Sequence, residues 1–442
     1  MTEQLSRLRG QGVRFVRVVW CDNANVIRAK AVYIDVVEQG SGAVGISAAQ
    51  QALPVMYDAV VPDSGLGPVG EVQLVPDWTT LQVLPYLPGY AQVLGDLVVQ
   101  DQPWEHCPRA FLSQQITRLK NHGLEVQAAF ENEFFLLKPG AGTPVPADDT
   151  VFAAAQAMNG TGQLVLEITD ALTEQGLAVE TYYPESGPGQ HELAVRYQGA
   201  LTAADQQLVY RETVRAVAAR HGFIASFLPK IFAEKAGSGC HLNLSLWRDG
   251  ENITGNSLES SRLGVEAQNF IAGVLVHLKA LCALTIPSSN SYRRIRPHFW
   301  AGAFTSWGYD NREAAVRVFA GGVSAPPKRF EIKCVDATAN PYLALGAVLA
   351  AGLDGLERGL TLPEEACSDP GLMTEDEREA SHVEPLPKSL GEAIAELERD
   401  ECLLAALGDA RAKTYLAVRR AEWEALKGAT LDDEVALLLE RY

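Results

Sequence analysis

Phe130-Glu131-Asn132-Glu133-Phe134-Phe135 interleaves acids with apolar residues at alternate positions. Side chains on a strand point to opposite faces with period two, so Glu131 and Glu133 share one face. His241-Leu242-Asn243-Leu244-Ser245-Leu246 alternates more strictly, with three polar residues on one face and three leucines on the other. Arg329-Phe330-Glu331-Ile332-Lys333 repeats the pattern, and Glu192-Leu193-Ala194-Val195-Arg196-Tyr197 follows it loosely. A half-buried strand ordinarily turns its polar face to water, and each stretch taken alone reads that way. Four of them, carrying carboxylates, a histidine and cations, predict a sheet whose polar face is a catalytic floor.

The rest of the chain suits a large enzyme. At 442 residues it can bury a sizeable core and hold two or more domains. Hydrophobic residues make up 47% and charged residues 21%, which excludes a disordered chain. A net charge of −18 argues against nucleic acid or an anionic membrane as the main partner. The seven cysteines are odd in number, scattered and without a C-x-x-C pair, which points to reduced thiols in the cytoplasm. No basic stretch followed by an apolar core opens the sequence, so no signal peptide is expected. The apolar run 270–287 is broken by His277 and Lys279 and reads as a buried helix.

Strand-like runs at 13–20 and 26–33 flank Asp22-Asn23-Ala24-Asn25, a hairpin signal. Further short runs at 71–76, 81–85 and 92–99 keep this first segment rich in strand. Helices are predicted over 109–121, 162–176, 202–221, 264–284 and 341–358, the last opened by Asn340-Pro341. Residues 361–388, rich in Pro, Glu and Asp, read as a surface excursion. Two or three helices close the chain, the last with Thr430-Leu431-Asp432-Asp433 as a capping box.

Glutamates and a histidine without cysteine form a hard ligand set, suited to Mg²⁺ or Mn²⁺. At ~3.3 Å per residue, Glu131 and Glu133 stand roughly 6–7 Å apart, too far for one ion and right for two. Two ions with arginines nearby are what phosphoryl transfer requires. No P-loop or dinucleotide fingerprint is present, so a nucleotide would be held otherwise. A glycosidase could use a glutamate pair alone, but His241, Glu331 and the arginines on the same face argue against one.

Further motifs carry a resemblance over nearly the whole length: Glu131-x-Glu133, Glu185 and Glu192 around Gly189-Gln190, Phe227-Leu228-Pro229-Lys230, and Gly237-Ser238-Gly239-Cys240-His241. Asn290-Ser291-Tyr292-Arg293-Arg294, Asn311-Arg312-x4-Arg317, Arg329-x-Glu331 and Asn340-Pro341-Tyr342-Leu343-Ala344 complete the set. The chain resembles the glutamine synthetase superfamily, of the bacterial type I branch. That resemblance implies an α+β fold with a small N-terminal β-grasp domain (1–100) and a larger catalytic domain (101–442). It also implies a homo-oligomeric double ring, a dodecamer, with active sites built between neighbouring subunits.

Carried over by position, one metal would be held by Glu133, Glu185 and Glu192 and another by Glu131, His241 and Glu331, with two or three Mg²⁺ or Mn²⁺ per site. Arg312 and Arg317 would steady the phosphates of ATP, with Arg329, Asn243 and Ser245 near the nucleotide. Arg294, Gly237 and Lys333 would serve the amino acid, L-glutamate. The family phosphorylates the γ-carboxylate with ATP, and ammonia or an amine then displaces phosphate.

The departures are specific. In Arg296-Pro297-His298-Phe299-Trp300-Ala301-Gly302, Trp300 takes the place of the glutamate that serves ammonium in glutamine synthetases. Gly45-Ile46-Ser47-Ala48-Ala49 replaces the segment whose aspartate binds ammonium from the neighbouring subunit. Lys333 stands for an Arg and Ala236 for an Asn. An indole suits a carbon-bearing amine or a cation held over its face better than a small hydrated ion. The sequence therefore predicts an ATP-dependent ligase forming a γ-glutamyl amide from an organic amine. A true glutamine synthetase and a non-catalytic assembly protein are the alternatives.

Overall fold

Asp22 turns the first hairpin by accepting the backbone N–H groups of Ala24 and Val26, while Asn25 takes the left-handed conformation (φ 61°). The strands it joins, Phe15–Cys21 and Ile27–Tyr33, pair antiparallel, and Phe15–Cys21 runs parallel to Tyr90–Val99 on its other side. Glu71–Pro76 and Val44–Ser47 extend this N-terminal sheet, with the short helices Thr2–Gly10 and Ile34–Gln39 packed beside it. A computed structural model describes residues 2–140, 142–255, 262–321 and 325–442.

The second sheet is ordered Val179–Pro184, Gln190–Val195, Glu125–Lys138, Cys240–Arg248, Phe330–Ile332, Val316–Val318 and Trp307–Tyr309. The long strand Glu125–Lys138 is its spine. On one face Phe130, Phe134, Leu242, Leu244, Leu246, Phe330 and Ile332 are buried in the main core. Helix Ala200–Arg220 covers that face, and Asn132 meets Gln207 through reciprocal amide hydrogen bonds of 2.6 and 2.7 Å. The odd-numbered residues of the spine turn to the opposite face, where the polar floor lies.

Helix Val265–Thr285 is long and apolar enough to cross a membrane by length and composition, yet 78% of its apolar window is buried inside the protein. It packs on Pro341–Arg358 at a contact that only glycine permits. A Cβ on Gly273 would lie 2.2 Å from the Ala351 carbonyl oxygen, and one on Gly355 2.1 Å from that of Asn269. Asn340 caps the second helix by accepting from Tyr342 and Leu343 N–H, with Pro341 in its first turn as the sequence indicates.

Two expectations need correction. The helix expected at 162–176 spans Ala155–Glu174, because its apolar face begins earlier, at Ala157 and Thr161. Four helices close the chain rather than two or three, since Asp400 and Gly408 break the run into separate elements. The last is opened by a capping box in which Asp433 replaces the usual Glu.

Arg109, at the start of helix Pro108–Asn121, ties the N-terminal sheet to the helix Ala200–Arg220 that covers the second one. Its guanidinium reaches Asp77 (2.7 Å) and Asp96 (2.9 Å) on one side and Asp205 (2.9 and 3.0 Å) on the other. Tyr342 donates to Asp205 at 2.7 Å, closing the network. Burial pushes the Asp205 carboxyl up, and Arg109 and Tyr342 offset that cost. Removing Arg109 leaves a buried carboxylate without its cation. Arg109→Ala should therefore lower unfolding free energy by about 3–5 kcal/mol, measured by denaturant titration. A loss below about 1 kcal/mol would show that the network does not hold the two sheets together.

Candidate active site

Strand register assembles the polar floor. Glu192 lies opposite Glu133, His241 opposite Glu131, and Asn243, two residues along the same face, opposite Glu331. Arg317 lies opposite Glu331 on the far side. Directly paired side chains are about 4.5–5.5 Å apart at Cβ, so the floor becomes a continuous band of ionisable groups. Glu185 joins it from the turn beyond Val179–Pro184, where Glu185 N–H bonds the Gln190 carbonyl at 2.8 Å.

The band resolves into two trios. Glu133, Glu185 and Glu192 each bring a carboxylate oxygen within 4.8 Å of the others, and so do Glu131, His241 and Glu331 with their ligand atoms. Glu131 and Glu133 go to different trios, as their spacing along the strand requires. The residues suit hard divalent cations. Glu331 is 1% exposed and its Oε2 has no hydrogen-bond partner among the described residues. Glu133 accepts from Gln190 (2.8 Å) and Gly239 N–H (3.0 Å), so one oxygen is oriented and the other is left toward the trio.

Burial, with Glu185 nearby, pushes Glu133 up to about 8, and burial with Glu131 and Glu133 pushes Glu192 up to about 10. Burial, and then Lys333 and the arginines, holds His241 well below its ordinary value, which keeps the ring neutral and able to ligate. Crowded carboxylates that cannot all ionise are a cation site in their protonated form.

A cavity of about 430 Å³ over this floor gathers both trios with Arg294, Arg312, Arg317, Lys333, Gly237 and Trp300. Arg294 is anchored by the carbonyls of Lys333 (3.2 Å) and Val335 (3.1 Å), and its Nε is unpartnered. Arg317 Nε pairs with Glu331 at 3.0 Å, and Lys333 Nζ meets the same carboxylate at 3.2 Å. Gly237 admits no side chain, since a Cβ there would sit 2.3 Å from the Pro229 carbonyl oxygen.

Three of the residues singled out in the sequence do not line this cavity. Asn243 lies at its edge and donates to Glu131 at 3.0 Å. The Ser245 hydroxyl accepts from the Trp247 indole at 2.9 Å. Arg329 is exposed and stacks on Phe319 (4.0 Å), which Arg317 also touches at 4.1 Å. The segment containing Gly45 forms an edge strand of the N-terminal sheet and does not meet the cavity within one chain.

Four cavity or loop residues were not found by sequence reasoning. Phe152 and Tyr183 line the wall beside Trp300, with ring centroids 6.3 Å (Phe152 to Trp300) and 6.2 Å (Phe152 to Tyr183) apart, both edge-on. The Tyr183 hydroxyl donates to Glu192 at 3.2 Å. Glu234 is the one lining carboxylate outside the two trios among the described residues. Glu313, buried behind Trp300, accepts that residue's backbone N–H at 2.9 Å. Only Tyr183 carried a signal, its place two residues before Glu185.

In an unfolded chain Glu133 and Glu192 ionise near 4.5. Between that pH and their folded values the folded state binds more protons, so rising pH destabilises the cation-free protein. A divalent cation replaces those protons. The rise in Tm produced by saturating Mg²⁺ should therefore grow from about pH 5 to about pH 9, and Glu133→Gln should flatten that growth. A pH-independent increment, or one untouched by Glu133→Gln, contradicts cation binding at this trio.

Residues 105–438 match the family model described as glutamine synthetase, catalytic domain, and residues 3–104 match the glutamine synthetase N-terminal domain. A type-1 glutamine synthetase of Dictyostelium discoideum is 34% identical over 99% of this chain and 92% of its own length. A gamma-glutamylpolyamine synthetase of Streptomyces coelicolor is 38% identical over 97% and 93%. Among solved structures, a glutamine synthase homologue superposes with a TM-score of 0.86 at 33% identity, covering 98% of this chain and 99% of its own. The GmaS/ADP complex superposes at 0.85 with 30% identity over 99% of both. The metal-suited trios, the arginine-lined cavity and these likenesses converge: the chain belongs to the glutamine synthetase family and is an ATP-dependent ligase that forms carbon–nitrogen bonds.

Proposed function

We propose that the protein joins the γ-carboxylate of L-glutamate to an organic amine through a γ-glutamyl phosphate, and that ammonia is a poor acceptor. The observation that carries this reading is the aromatic wall of Trp300, Phe152 and Tyr183 beside the glutamate floor. An ammonium ion needs anionic oxygens to replace its water. Aromatic faces reward carbon instead, by about 0.8 kcal/mol for each buried CH₂, and hold an alkylammonium by cation–π attraction. The polyamine substrate in the name of the Streptomyces relative agrees with this reading. Plain glutamine synthetases are nearly as similar, so the wall and not the likeness discriminates.

In this reading Glu133, Glu185 and Glu192 hold one divalent cation and Glu131, His241 and Glu331 a second, Mg²⁺ or Mn²⁺. Bound there, the two cations would supply positive charge for the transferring phosphoryl group. Arg312, exposed at the cavity mouth, aims its guanidinium at the same charge, while Arg317 is held in place through Glu331. Arg294 and Lys333 receive the glutamate carboxylate, and Gly237 lets the backbone approach it. The attacking amine must shed a proton. Glu234 takes it, being the wall carboxylate that no cation claims. Neighbouring subunits of a cytoplasmic double ring complete each site, with the segment containing Gly45 facing the adjoining cavity.

ATP-dependent phosphate release with glutamate, across ammonia, monoamines, ethanolamine and polyamines, tests the proposal. Some organic amine should exceed ammonia in kcat/KM, and Trp300→Glu should shift preference toward ammonia. If ammonia is the best acceptor of the panel, the protein is a true glutamine synthetase and Trp300 a packing residue. Independently, Arg312→Ala should lower kcat by about 10²–10³ through loss of one charge aimed at the phosphoryl group. An effect confined to the KM for ATP would make Arg312 a ground-state binding residue.

A further inference from the structure

Trp300 stands in a loop whose residues 295–300 line two cavities. His298, Phe299 and Trp300 face the active-site cavity, whereas Ile295, Arg296 and Pro297 line a second cavity, of about 890 Å³, on the other side. The loop is a partition between two open spaces. Ile295 packs against the core and Ala301 is fully buried, which fixes the ends of this stretch, while the exposed residues 298–300 between them take their backbone shape from hydrogen bonds.

Its backbone is also unusual. His298 (φ 66°) and Trp300 (φ 52°) both take the left-handed conformation, which L residues avoid because Cβ crowds the following carbonyl oxygen. Such conformations persist only where the surroundings impose them. Here one side chain does so. Glu313 is 8% exposed, and its two carboxylate oxygens accept the N–H groups of these same two residues: Oε1 from Trp300 at 2.9 Å and Oε2 from His298 at 3.2 Å. Glu313 is itself fixed, since its N–H bonds the Asn311 side chain at 3.0 Å and Asn311 donates to the carbonyls of Ala366 and Ser368. The adjacent Arg312 lies 5.4 Å from the Trp300 ring, so consecutive residues hold the indole and its backbone. A further anchor, His298 Nδ1 to Asp369 at 2.7 Å, holds the loop at residue 298.

We propose that Glu313 is a positioning residue for amine selectivity: by accepting both N–H groups it presents the Trp300 indole, rather than the loop backbone, to the incoming amine. This rests on the amine-ligase reading. Glu313 does not line the active-site cavity and acts only through the loop.

Glu313→Ala should reduce the ratio of kcat/KM for the best amine to that for ammonia by about ten- to hundredfold, as expected for a misplaced wall. The KM values for ATP and glutamate should stay within about twofold. Glu313→Gln keeps one acceptor oxygen and should lie between. In a Trp300→Ala background, Glu313→Ala should change the ratio no further, because its effect passes through that side chain. Acrylamide quenching of Trp300, read as the difference from Trp300→Phe in substrate-free protein, should increase in Glu313→Ala while circular dichroism is unchanged. This arm needs no amine, so it stands even if ammonia proves the best acceptor. Selectivity unchanged in Glu313→Ala, effects additive with Trp300→Ala, or unaltered quenching in folded Glu313→Ala and Glu313→Gln would each overturn the proposal.

Discussion

Everything at this site depends on the register of the strand Glu125–Lys138 against its two neighbours. Glu133 faces Glu192 on one side and Glu131 faces His241 on the other, so one strand divides its two acids between two clusters. A one-residue slip would send every one of these side chains into the leucine- and phenylalanine-rich core, where their charge could not be accommodated. The apolar face enforces the register. Phe130, Phe134 and the three leucines of Cys240–Arg248 must be buried, which obliges the intervening polar residues to converge.

That convergence sets acids against one another. Glu133 and Glu192 keep protons far above the ordinary carboxylate range because they are buried beside like charges. The strain has a chemical outlet, because divalent cations can replace the protons at a site already shaped for them. Arg317 and Lys333, both on Glu331, add fixed positive charge at the far end of the band. The floor is thus graded from carboxylate-rich at Glu185 to cation-rich at Arg317. A substrate with a carboxylate and a triphosphate fits such a gradient better than a neutral one.

The opposite wall follows different rules. Trp300 is half-exposed, on a loop whose residues 295–300 border two cavities. Packing fixes the loop at Ile295 and Ala301, and between them a buried carboxylate and the His298–Asp369 hydrogen bond do the shaping. The Trp300 indole sits on a loop held by few bonds, while most of the two trios sit on paired strands.

Alternation made most of the floor legible, while Glu185 and the division into two ligand sets came only from the resemblance. Period-two patterns in four stretches placed Glu131, Glu133, Glu192, His241 and Glu331 on faces of strands, since a strand offers only two faces and the apolar one is identifiable. Helices such as Val265–Thr285 and Pro341–Arg358 were legible from their length and apolar content, and the cap at Asn340 from the proline after it. What the sequence could not reveal was which strands lie side by side, because pairing joins residues as far apart as Glu131 and His241 through packing that no local pattern records. Nor could it reveal Phe152, which reaches Trp300 from 148 positions earlier in the sequence, or Glu313, whose role arises from a backbone conformation thirteen residues away. The sequence by itself determined the chemistry of the floor, through residue type and periodicity. Only the tertiary structure decided the aromatic wall and the carboxylate that holds it, because contacts between loops depend on where the chain returns in space.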